Sequence, residues 1–132
     1  MDSSADEPQY RQAFEIMAQH AVDALVFNGL GPNHAYRFLI AELAVRHRLP
    51  SIGWVVDVVE KAKGFLAYGA NPEDFTDRFA DQVDQLLKGA KPADIPIYQP
   101  TKFKLAINLK TARTLGLDIP ATFLAGVDEV IE

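Results

Sequence analysis

Three short segments carry the residue types that could recognise a small molecule. They are Asn28-Gly29, residues 54–57 (with Trp54 and Asp57 at its ends) and Tyr68-Gly69. Together they offer an amide, an indole, a carboxylate and a phenol. Glycine in two of the three lets backbone approach a bound group closely. An aromatic face supplies contact area and a few polar groups set orientation, a mix that suits a small polar or zwitterionic solute. A plainer reading stands beside this one. Trp54 and Tyr68 are also what large core residues at strand ends look like, and Asn28 could simply brace its own turn.

Other chemistry finds little support. Residues 28–33, NGLGPN, form neither a GxGxxG sequence nor a phosphate loop. His20, His34 and His47 include no pair at i, i+4 spacing and no HExxH, so no metal site is expected. His20 and His47 fall near expected helix C-termini, where a partly charged imidazole is favourable. Asp81 and Asp84 read as a solvated helix face. Ser3, Ser4 and Ser51 lack a GxSxG setting. No nucleophile–base pair can be assembled, so the chain is not expected to be an enzyme, and no cofactor is called for.

The elements that must position the three segments follow from periodicity and breakers. Pro8 opens a helix to about Ala21, with Phe14, Met17, Ala18 and Ala21 on one stripe. Residues 24–27, ALVF, suit a strand buried on both faces. Asn33 can cap a helix over residues 34–47, with Tyr36, Leu39, Ile40, Leu43 and His47 on one face. Leu49-Pro50 ends that helix. Residues 51–54 are a second strand, residues 55–63 a short helix, and residues 65–68 a third strand. Asn71-Pro72-Glu73-Asp74 starts a helix running to about Lys88, whose stripe Phe75, Phe79, Val83, Leu86 and Leu87 should be buried. Gly89 stops it. Pro92, Pro96 and Pro100 punctuate a linker. A strand over residues 102–107 and a capped helix over residues 108–115, closed by Gly116, come next. Lys102, Lys104 and Lys110 suggest that this last strand lies at a sheet edge.

Strands alternating with helices predict an α/β fold with a mainly parallel sheet between helical layers, a three-layer sandwich. Ligands in such sheets bind beyond the carboxyl ends of the strands, where the three segments should meet. The 132 residues and 48% hydrophobic content suit one modest domain. A net charge of −5 argues against nucleic acid. No apolar run nears the roughly 18 residues of a membrane span, so no membrane insertion is expected. The opening MDSSADEPQYRQ does not read as a signal peptide. With no cysteine there are no disulfides or thiolate sites.

The stretch LKGAKPADIPIYQPTKFKLAINLKTARTLGLDIP, residues 87–120, resembles the C-terminal part of the solute-binding proteins of ABC importers, the branch with a type I periplasmic-binding fold. The resemblance is densest over residues 64–132. It implies one lobe of a two-lobed protein that closes on a small-molecule solute and presents it to an ABC permease. It also implies a periplasmic or extracytoplasmic setting, with Asn28, Gly29, Trp54, Asp57, Tyr68 and Gly69 on cleft-lining loops. The first lobe, a signal and a lipid-attachment cysteine are not in the sequence, which reads as a fragment or a gene reduced to one lobe. The expected organisation is a solute-binding lobe over residues 1–90. Residues 91–132 then form a linker, strand and helical segment that completes the lobe or is exchanged with a partner. Phe103, Leu105, Ile107, Leu115, Leu117, Ile119, Phe123, Leu124, Val127, Val130 and Ile131 make that tail apolar, and a homodimer is expected to cover them. The competing reading is a free-standing α/β interaction or regulatory module without a ligand.

Overall fold

A computed structural model describes residues 6–132. The elements, in chain order, are α1 (Glu7–Gln19), β1 (Leu25–Val26), α2 (Pro32–Ala35), α3 (Arg37–Arg46), β2 (Ser51–Gly53), α4 (Asp57–Glu60), β3 (Leu66–Ala70) and α5 (Pro72–Leu87), then a 3-10 turn (Pro92–Asp94), β4 (Phe103–Asn108), α6 (Leu109–Leu115), α7 (Ala121–Leu124) and β5 (Glu129–Ile131). The strands form one sheet in the order β1-β2-β3-β4-β5. The pairs β1–β2, β2–β3 and β4–β5 are parallel, with Leu25 beside Ser51, Ile52 beside Leu66 and Ile107 beside Val130. Helices flank the sheet, as the alternation of patterns predicts.

The chain folds as two compact units. The first runs up to Gly69 and resumes over Lys104–Glu132; the second is Ala70–Phe103. In the first, Phe14, Phe27, Ile40, Leu43, Val58, Val59 and Ala67 bury together. A smaller cluster forms around Phe65, Ile107 and Ala112, with Leu109, Leu115, Leu117, Ile119, Leu124 and Val127 packed on it. Much of the apolar tail is therefore covered within its own chain. Several local rules hold to the residue. Asn108 caps α6 by accepting from the Thr111 backbone N–H at 2.9 Å, and Gly116 ends that helix at φ 75°, a left-handed conformation that glycine adopts without strain. Asp6 caps α1 in a reciprocal box with Gln9. His20 and His47 do occupy helix C-caps.

Four expectations fail for physical reasons. β1 is not buried on both faces: Val26 is 80% exposed, because β1 stands at the end of the strand order with a neighbour on one side only. Residues 34–47 are not one helix. The chain breaks at Tyr36 into α2 and α3, and Asn33 makes no cap because its side chain is used elsewhere. β4 is not an edge strand but lies between β3 and β5. The stripe of α5 is not buried: Phe79 is 63%, Val83 54% and Leu87 83% exposed. In the second unit that stripe packs on the return segment. There, Phe75 packs edge-on to Tyr98 at 6.1 Å, Arg78 lies over the Tyr98 ring, and the Tyr98 hydroxyl donates to Asp74. A shallow cavity of about 470 Å³ remains between Phe79, Leu86, Pro92 and Ile97.

Burial raises the pKa of Glu129 in β5 above its ordinary 4.5, and a hydrogen bond with Glu60 and the charge of that neighbour add to the effect, while Lys104 opposes it. The fold thus favours the protonated form. Its contribution is complete below the ordinary carboxylate range and is lost as pH rises through the raised value. Glu129→Gln should raise the melting temperature at pH 7 and leave it nearly unchanged at pH 4, measured by calorimetry; equal shifts at both would remove Glu129 as the cause. Asn108→Ala should cost about 1–2 kcal/mol in urea denaturation, through the lost cap of α6.

Candidate functional site

β1, β2 and β3 run parallel, so the loops that follow them leave from one edge of the sheet. The residues of these segments up to Gly69 belong to the first unit. Just past β1, the Asn28 side-chain oxygen accepts from the Leu30 backbone N–H at 3.1 Å and from Asn33 Nδ2 at 3.2 Å. The Asn33 oxygen in turn accepts from the Tyr10 hydroxyl at 2.7 Å. Burial, and then the nearby Tyr36, push the Tyr10 phenol above its usual pKa, which keeps it a donor. Asn28 thus braces its own turn, and through Asn33 the turn is tied to α1.

Trp54 is where the segments meet. A Cβ built on Gly29 would fall 2.1 Å from Trp54 Cε2, and one built on Gly69 would fall 1.7 Å from the Trp54 carbonyl oxygen. Only glycine at both positions allows the loop after β1 and the end of β3 to press against the residue that follows β2. The His34 ring lies 5.3 Å from the indole, centroid to centroid. Trp54 Nε1 is shut off from solvent and has no hydrogen-bond partner among the described residues.

Asp57 opens α4, and its carboxylate is already engaged. Arg37 Nε reaches its two oxygens at 3.3 and 3.1 Å, and Nη2 reaches one at 3.0 Å. Arg37 also donates through Nη1 to the His34 carbonyl at 2.8 Å. Both side chains are largely covered, 21% and 24% exposed, so this pair is firmer than a surface ion pair and fixes the α2–α3 corner against α4. Tyr68, in β3, is 52% exposed. Of the six residues singled out in the sequence, the structure gathers Gly29, Trp54 and Gly69 directly. Asn28 adjoins them in the chain, Asp57 is held by Arg37, and Tyr68 stands outward beside Gly69. Sequence reasoning passed over Tyr10, Asn33, His34 and Arg37. A polar pair twenty residues apart leaves no local signature, and the sequence around Asn33 suits a helix cap instead.

The family model described as ABC transporter substrate binding protein matches residues 13–131. The chain belongs to that family. A conserved domain protein from Vibrio cholerae O1 biovar eltor superposes with a TM-score of 0.83 at 20% identity, over 96% of this chain and 42% of that one. The domain from Streptococcus pneumoniae solved in complex with L-Trp gives 0.78 at 25% identity, over 94% of this chain and 42% of that one. A ligand-free, open substrate-binding protein with adhesive properties from Clostridium difficile gives 0.64 at 16% identity, over 97% and 42%. The chain therefore spans 42% of the length of these structures. No curated protein sequence matches it. The family is an extracytoplasmic, substrate-binding class, and no helix among the described residues is long and apolar enough to cross a membrane.

Trp54 is the single tryptophan, so its fluorescence reports this site alone. Gly29→Ala should push the indole off the loop, shift its emission maximum and destabilise the fold by about 1–3 kcal/mol. An unchanged spectrum with unchanged stability would mean that the indole does not rest on Gly29.

Proposed function

We propose that this chain is a solute-binding lobe of an ABC-importer substrate-binding protein, part of a longer two-lobed design. The solute would be small and polar or zwitterionic. It would sit against the loops that carry Asn28, Gly29, Trp54, Asp57, Tyr68 and Gly69. The observation that carries the reading is the family match over residues 13–131, joined to the convergence of three strand-end loops on Trp54. The Streptococcus pneumoniae neighbour, solved with L-Trp, makes aromatic amino acids the first solutes to test. The work would be binding and delivery to a permease outside the cytoplasm, without catalysis. Residues 91–132 would complete the lobe. An in-frame first lobe is expected in the DNA ahead of Met1, and its absence would favour a natural single-lobed protein.

Self-association belongs to the same proposal. Phe79, Val83, Leu87 and Ile97 leave a large apolar surface in water, a feature uncommon in monomers. Light scattering on dilute protein should show a dimer; a soluble, folded monomer would rule it out.

A thermal-shift screen of L-amino acids and aromatic acids tests the main reading. A true solute at roughly 100 times its Kd should stabilise the chain by about 2.7 kcal/mol, several degrees of melting temperature. Trp54→Ala should abolish the shift. If no such solute raises the melting temperature, the site assignment falls.

A further inference from the structure

The second unit has no interior of its own. Among the described residues of Ala70–Phe103, none is buried. A segment of fewer than about 40 residues rarely holds a fold without a disulfide, a metal or a partner. The chain has no cysteine, and the described residues include no group that could hold a metal. The segment is closed at its base, where the Asn71 backbone N–H donates to the Lys102 carbonyl at 3.1 Å. Between those ends stands α5, a 16-residue helix capped by Asn71, with Phe75, Phe79, Val83 and Leu86 along one stripe. Such a helix owes most of its stability to burying that stripe. The cavity of about 470 Å³ opens on the same side. Its polar rim is already engaged. Gln82 Nε2 donates to the Pro96 carbonyl at 3.4 Å, Arg78 lies over the Tyr98 ring, and the Tyr98 hydroxyl donates to Asp74. Phe79, Leu86, Ile95 and Ile97 complete the lining, which suits the apolar side chains of a protein surface better than a polar solute.

The superposed structures point to the occupant. Each matches 94–97% of this chain over 42% of its own length, so more than half of each lies outside the match. We infer that the apolar face made by α5 and residues 92–98 docks on the lobe that lies outside this chain, whose apolar side chains fill the cavity. The inference rests on the two-lobed reading proposed above and names the surface through which the two parts join. The self-association expected of the chain alone is then a second copy standing in on the same face. Asp77, Asp81 and Asp84 lie on the far side of α5 and are exposed, so they mark the side that stays in water.

The test compares this chain with the longer polypeptide that includes the in-frame segment ahead of Met1, by amide hydrogen exchange at two protein concentrations. In the longer form the α5 amides should exchange at least about tenfold more slowly than in the dilute chain, at either concentration. In the chain alone their protection should rise with concentration, as a second copy takes the face. Val83→Asp should lower the melting temperature of the longer form by several degrees and leave that of the dilute chain nearly unchanged. Asp77→Ala, on the far side of the helix, should change neither. Three results would overturn the inference and leave the solute-binding reading standing, since the thermal-shift screen reads that separately. They are α5 amides as open in the longer form as in the chain, protection in the longer form that still depends on concentration, and a Val83→Asp longer form with an unchanged melting temperature. DNA with no in-frame lobe ahead of Met1 would overturn the inference together with the two-lobed reading.

Discussion

Parallel pairing is the constraint on which the rest of the structure depends. Strands that run the same way must each be followed by a crossover, and every crossover starts from the same edge of the sheet. With β1, β2 and β3 side by side, Asn28, Trp54 and Gly69 come to that edge together. Nothing in their spacing along the chain, 26 and 15 residues apart, would bring them together in an antiparallel meander. The short strands are enough because Ser51 and Gly53, which share one face of β2, are both enclosed, and a one-residue slip would turn that face away from the core.

The second layer of control is polar. α1, the loop after β1 and α2 are joined by Tyr10, Asn33 and Asn28, while α2, α3 and α4 are joined by Arg37 to the His34 carbonyl and Asp57. Each chain of bonds ends on a loop that carries a candidate binding residue. The apolar core beneath fixes where the sheet stands, and these side chains fix how its loops are shaped. A carboxylate held by a guanidinium is a weak candidate for direct solute contact and a good one for holding Trp54's loop in place.

What could be read from the sequence was local or periodic. Asn108 and Gly116 announce the start and end of α6 because capping and left-handed geometry depend on one residue each. The strands around Ile52, Ala67 and Ile107 announce themselves as short apolar runs between breakers. What could not be read depends on distant partners. Asn33 looks like a helix cap until Tyr10 takes its oxygen. The α5 stripe has a clear amphipathic period, but a period says only that a face wants cover. In the second unit a single return segment supplies it, and Phe79 and Leu87 stay in water. The lysines near β4 look like edge protection, yet β5 lies beyond it. At the site, Trp54, Gly29 and Gly69 were legible as residue types suited to a ligand, but their mutual packing was not.

The two glycines beside Trp54 differ in a way that shapes how this protein could diverge. The atom facing Gly29 is part of a side chain, and the atom facing Gly69 is a backbone carbonyl oxygen. A larger residue at position 29 can be accommodated if Trp54 is first trimmed, so those two positions form an epistatic pair in which the order of substitution matters. Position 69 has no such partner, because no side-chain change elsewhere removes a carbonyl. Variation in packing among relatives built on this frame would therefore run through positions 29 and 54 together, while position 69 holds still.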